Sequence, residues 1–262
     1  LSTSTEFGVS GRGILANDVN AYTRIDNVGT SGIINSADSN VGGLVGVLNP
    51  LGTSSQIVNS FSTASVTGNS YVGGLVGYVG DLGTISDSYA TGSIQGGQRV
   101  GGLVGYVGDL GTISDSYATG TVLGTSQFAG GLVGELANAN VSTSYATGSV
   151  TGIGEVGGLI GGSYEPITID SSYATGSVVG NNNTGGLLGL VSSGSTISNS
   201  YSRGTIQGGE STGGLVGSSS TSIIENSFVQ IVGDLTSSGD YLGGLIGQHW
   251  GTQIRNSYVS IN

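Results

Sequence analysis

The stretch VGGLVGYVGDLGTISDSYATG occupies residues 72–92 and returns unchanged at residues 100–120, an offset of 28. Working outward, Gly-Gly-Leu-Val-Gly or a close variant begins at Gly42, Gly73, Gly101, Gly130, Gly157, Gly185, Gly213 and Gly243, with spacings of 31, 28, 29, 27, 28, 28 and 30. A second block, Ile85 to Gly92, recurs as Ile113 to Gly120, Val141 to Gly148 and Ile169 to Gly176. Weaker copies start at Ile57, Ile197, Ile224 and Ile254, and a degenerate one runs from Ile25 to Gly32 with Gly29 where the aromatic belongs. A period of this size marks a stacked architecture. Each unit reads as short β segments divided by glycine turns, with no helical 3.6-residue stripe. The expectation is an all-β, parallel β-solenoid (β-helix), with one repeat per coil, about eight coils of about 28 residues and right-handed winding. Two shorter coils per repeat fit less well, because the two halves of the unit differ.

Composition narrows the class. Gly supplies 53 of 262 residues, with only two Pro. Helices lose about 1 kcal/mol per Gly relative to Ala, and collagen needs a strict three-residue period with abundant Pro. Hydrophobic residues make up 36% and charged residues 8% of the chain, too apolar and too uncharged for disorder. Five Arg against 16 acids gives a net charge of −11, and there is no Lys. Such a polyanion lacks the cations that nucleic-acid binding requires, so no nucleic-acid role is expected. Without Cys there are no disulfides and no thiolate chemistry, and the single His249 cannot build a multi-His metal site. No apolar run is long enough to span a membrane as a helix. Abundant Ser, Thr and Asn without Cys or Met suits an extracellular or cell-surface setting.

Stacking sets equivalent residues above one another, so columns follow from the alignment. Ser60, Ser88, Ser116, Ser144, Ser172, Ser200, Ser227 and Ser257 form one column, and Phe61, Tyr89, Tyr117, Tyr145, Tyr173, Tyr201, Phe228 and Tyr258 the next. Two positions before the aromatic come Asn59, Asp87, Asp115, Thr143, Ser171, Asn199, Asn226 and Asn256. Two positions after it come Thr63, Thr91, Thr119, Thr147, Thr175, Arg203, Gln230 and Ser260. Alternation along a strand, with Ile85 and Ile94 inward, turns Ser88 and Ala90 inward and Tyr89, Thr91 and Ser93 outward. A bend within the unit would reverse this and bury the Tyr column.

Gly-Gly-Leu-Val-Gly followed by Ile-x-x-Ser-Tyr-Ala-Thr-Gly at this period resembles the GLUG repeat, over about residues 25–262. That repeat occurs in large secreted and surface-attached bacterial proteins, including adhesin-like proteins and the non-catalytic part of some immunoglobulin A1 peptidases. The resemblance implies a secreted structural or adhesive array. It implies no protease activity, because the His-Glu-x-x-His zinc motif is absent.

Candidate chemistry is sparse, and no enzyme is expected. Gly152-Ile153-Gly154-Glu155-Val156-Gly157 fits the dinucleotide pattern, but that mechanism needs a helix to follow. A Ser-His-Asp triad is formally available, yet His249-Trp250 is expected in a surface turn of the last repeat. No cofactor is expected. Calcium is the weak candidate, bridging the stacked pairs Asp81 with Asp109 and Asp87 with Asp115; the preferred alternative is an Asx ladder capping turn backbone groups. The Thr-x-Thr/Ser rows, Thr91, Thr119, Thr147 and Thr175 beside Ser93, Thr121, Ser149 and Ser177, permit an ice-binding reading. Paired acids on a solenoid also permit a carbohydrate-binding or carbohydrate-cleaving one. The surface ladder of Tyr89, Tyr117, Tyr145, Tyr173 and Tyr201 suits contact with glycans or host and cell-surface proteins.

Residues 1–24 lack the repeat and are expected to form an N-terminal cap or linker. Asn262 follows the last aromatic without a cap. Either neighbouring repeats of a longer chain continue the stack, or the end pairs head to tail with another copy as a filament. The leading expectation is a non-enzymatic structural or adhesive module: a surface adhesin segment or a filament subunit.

Overall fold

The computed structural model describes residues 11–20, 22–48, 54–192 and 194–261. Every regular element among them is a β-strand. Strands stack in parallel from turn to turn into a β-solenoid, and three of its four sheets hold nine strands each. One turn shows the plan: Gln98–Gly101, Val104–Val107, Thr112–Ser114, Tyr117–Ala118 and Val122–Gly124 follow one another around the coil. The two identical stretches lie in register, with Val76 beside Val104, Ile85 beside Ile113 and Tyr89 beside Tyr117.

Nine turns replace the expected eight because the first copy is too divergent to see in sequence. Arg12–Gly13 pairs with Val41–Gly42, and Ala16–Val19 pairs with Val45–Leu48. There Gly13-Ile14-Leu15-Ala16-Asn17 occupies the place of the pentapeptide, so much of the expected cap or linker at 1–24 is itself a turn of the solenoid. Residues 1–10 and 21 lie outside the described residues. The longer spacing before Gly243 also has a local cause. Gly204 pairs with Ile231 but Ile206 with Leu235, so a bulge absorbs two extra residues without breaking the ladder.

The interior has two lobes. The larger gathers Leu103, Val104, Val107, Ile113 and Ala118 with their equivalents, and the smaller gathers Val100, Ile94 and Val122 with theirs. Full burial of each Leu or Ile is worth roughly 1.5–3 kcal/mol. Between the lobes the coil narrows to a waist, where the second glycine of the pentapeptide meets the small column after the aromatic. A β-carbon on Gly102 would sit 2.8 Å from the Ala118 β-carbon and 2.0 Å from the Gly131 carbonyl oxygen. Neither contact leaves room for a side chain.

The bend before the aromatic is left-handed. Asn27, Asn59, Asp87, Asp115, Thr143, Ser171, Asn199, Asn226 and Asn256 all have φ between 45° and 57°. Among non-glycine residues Asn and Asp adopt this region most readily, which explains the Asx-rich column. The Ser that follows closes a hydrogen-bond chain along the stack. Ser116 Oγ accepts the Ser88 N–H at 3.1 Å and donates to its own Ser114 carbonyl at 2.7 Å. The same acceptance recurs from Val28 N–H to Ser60 Oγ up to Ser227 N–H to Ser257 Oγ. Both groups of a buried hydroxyl are thereby satisfied, as burial demands.

Candidate functional site

The aromatic column lies on the outside. Tyr89, Tyr117, Tyr145, Tyr173 and Tyr201 are half-buried, while Ser88, Ala90 and Ile94 are buried, matching the alternation expected from sequence. From Phe61 to Tyr258 the eight rings stack with centroids 4.7–5.2 Å apart and planes within 7°. The strand spacing of about 4.8 Å imposes this geometry. Ring faces are therefore spent on one another, and the column presents edges and phenolic hydroxyls outward. Shielding by burial and neighbouring rings raises the Tyr117 and Tyr173 hydroxyls above their ordinary value, so they remain neutral donors. The first turn has no ring; Phe61 instead lies over Gly29, whose added β-carbon would fall 2.3 Å from Phe61 Cζ.

Beside the rings, Thr91, Thr119 and Thr147 are exposed and Thr175 half-buried, with exposed Ser93, Thr121, Ser149 and Ser177 in the next row. Thr121 Oγ1 donates to Ser93 Oγ at 3.2 Å. Exposed Arg203 interrupts the Thr row.

The acids named as calcium candidates are exposed. Asp87 and Asp115 occupy the left-handed bend, and Asp81 Oδ1 accepts the Asp109 N–H at 3.1 Å. Backbone turns thus account for both pairs. In the neighbouring column Asp170 collects hydrogen bonds from Ser198 Oγ, Asn199 Nδ2 and Ser171 Oγ, which hold its carboxyl below the usual carboxylate range. The dinucleotide-like glycines link strands Val150–Thr151 and Val156–Gly157, with no helix after them. His249 and Trp250 are not in a turn as expected: they end the strand Ile246–Trp250 and pair with Ser219 and Ser220.

A second surface feature, a corner between two strand columns, was not anticipated. Tyr71, Arg99 and Phe128 each stand two residues before a pentapeptide and have φ of 55°, 55° and 57°, an unfavourable region for bulky residues. In the next strand Tyr78, Tyr106, Glu135 and Gly162 are in register. Tyr71 meets Tyr78 and Tyr106 edge-on at 5.6 and 5.8 Å. The Arg99 guanidinium lies 5.0 Å from the Tyr71 ring centroid, 5.9 Å from Tyr106 and 6.0 Å from Phe128. Its Nε is ion-paired with Glu135. Gly162 leaves the space that Phe128 fills, and Phe128 contacts exposed Tyr164 edge-on at 5.4 Å.

The corner is crowded with buried charge. Glu135 and Glu155 are only 7% and 8% exposed. Burial pushes the Glu135 carboxyl up, Arg99 pulls it down, and Glu155 adds to the rise. Burial together with Tyr78 and Glu135 pushes the Tyr106 hydroxyl up to about 12. Glu155 Oε2 is buried with no hydrogen-bond partner. Repeat alignment contains the signal for this corner, because its residues are the ones that differ between aligned repeats: Tyr71, Arg99, Phe128 and Glu155 occupy one register position. A search for shared residues passes over them.

The GLUG motif matches this chain twice, at residues 68–95 and 96–123, so those two turns carry the GLUG repeat. The matches coincide with the turns that carry the identical stretches. No curated protein matches the chain.

Proposed function

We propose that this GLUG-repeat solenoid is a non-enzymatic adhesive module of an extracellular or cell-surface protein, and that the Tyr–Thr face is its contact surface. The observation carrying this reading is the eight-ring outward ladder flanked by rows of Thr and Ser hydroxyls. Its periodic, uncharged donors and acceptors suit a hydroxyl-rich polymer such as a glycan, bound by many weak hydrogen bonds rather than by one pocket. Because the ring faces are occupied, hydroxyls rather than sugar–ring stacking supply the contacts. A glycan array with Tyr117→Phe/Tyr145→Phe and Thr119→Val/Thr147→Val tests this, since each pair removes hydroxyls and keeps the stack. Binding lost in both variants supports the reading. Unchanged binding, release of reducing ends from the bound glycan, or thermal hysteresis in ice would overturn it.

We propose further that another parallel turn covers the last described one, supplied by neighbouring repeats of a longer chain or by a second copy head to tail. Ile254, Val259 and Ile261 are 46%, 36% and 67% exposed, whereas their partners one turn earlier, Ile224, Val229 and Ile231, are fully covered. Another parallel turn restores that cover in the same register. Negative-stain microscopy separates the two sources: rods that lengthen with concentration and are abolished by Ile254→Arg support the second copy, and rods of one length at all concentrations exclude it.

A further inference from the structure

The corner holds one negative charge too many. Arg99 is committed to Glu135, while Glu155, 8% exposed, has a buried Oε2 without a partner. Glu155 also acts on both Glu135 and Tyr164, where its charge raises the two groups. A buried carboxylate without a counter-charge is costly, and aromatic walls favour a cation.

We propose that this corner binds a primary alkylammonium group, as carried by a lysine side chain, with Glu155 as its counter-ion and Tyr164 as the exposed wall. The planar cation slot between Tyr71, Tyr106 and Phe128 is already filled by Arg99. What remains is a single buried acceptor, which suits a compact ammonium on a slim stem better than a broad guanidinium. Calcium needs six to eight oxygens, and one of the two carboxylates here is engaged by Arg99. These 262 residues contain no Lys, so no lysine among them supplies the group. Its net charge of −11 draws cationic partners toward it. This site is separate from the Tyr–Thr face, and either proposal can fail alone.

The test is an NMR titration of the full chain with n-butylammonium chloride, with tetramethylammonium and calcium chloride as controls. Saturable shifts are expected at the Glu155, Tyr164 and Phe128 amides. Glu155→Gln is expected to weaken binding about tenfold and Tyr164→Leu about threefold, while Glu210→Gln leaves it unchanged. Circular dichroism reports whether each variant keeps its β-structure, and if Glu155→Gln does not, Tyr164→Leu decides. An acetylated lysine tripeptide and glucosamine then separate a protein partner from an amino sugar; tighter binding of either supports the site. No saturation with butylammonium, wild-type affinity in the folded variants, or displacement by calcium would overturn it.

Discussion

Gly102 and Ala118 face each other across the narrowest part of the coil, where a β-carbon on the glycine would lie 2.8 Å from the alanine methyl. The same pairing recurs between Gly74 and Ala90, Gly131 and Ala146, and Gly158 and Ala174. It explains why two blocks far apart within one repeat are both small: each is the other's wall. Gly102→Ala is expected to cost about 3 kcal/mol, through the clash with Ala118 and the Gly131 carbonyl. Ala118→Ser, which copies Ser62 and Ser202 in that column, is expected to be nearly neutral. Thermal unfolding of the two variants checks the contrast.

Ser116 supplies the acceptor for the Ser88 N–H. Ser116→Ala strands a buried donor, at a cost of about 1–3 kcal/mol. Amide hydrogen exchange should accelerate at Ser88 in particular, and exchange at Ser88 as slow as in the parent would count against the ladder.

Thr143 is the β-branched member of the left-handed column, with φ of 48°. Thr143→Asn is expected to raise stability by about 1 kcal/mol, because Asn tolerates that region and a β-branched residue does not. Asp87→Asn/Asp115→Asn should leave the melting temperature unchanged with or without calcium. A calcium-dependent rise in the parent that this double variant abolishes would restore the metal reading.

Arg99→Gln removes the cation that, among the described residues, pairs with Glu135, and leaves both buried carboxylates unbalanced. A loss of about 3 kcal/mol is expected at neutral pH. The sign of its pH dependence follows from Glu135, whose folded-state pKa is raised above 4.5 chiefly by burial. Stability is then lower above the folded value and recovers as pH falls through it toward 4.5. Asp170 works oppositely: its pKa lies below 3.8, so its contribution is complete above 3.8 and is lost as pH falls through the depressed value. Melting curves of Arg99→Gln between neutral pH and 4.5 should therefore converge toward the parent's; a gap that stays constant would contradict this account.

The solenoid, its register and the outward Tyr column were legible in the sequence because repetition makes backbone pairing and side-chain columns the same information. Gly13 to Asn17 escaped, since that copy keeps the backbone path but replaces the second glycine by Ile14 and the third by Asn17. The bend at Asp87 was readable as an Asx position, but not its left-handed φ, because Thr143 and Ser171 share that column and hide the conformational preference behind it. Glu155 was visible only as part of a glycine-rich pattern. It lies in register with Phe128 and acts on Tyr164, residues 27 and 9 positions away, and no single repeat encodes that neighbourhood.

The serine ladder also has a direction. Each hydroxyl accepts from the turn before it and never from the turn after. A chain emerging from its N-terminal side therefore leaves one backbone donor open at the growing edge, and the next serine to arrive closes it. Assembly in that order needs no memory of distant sequence, and disassembly starting from the opposite end exposes one such donor at a time, like the teeth of a zip.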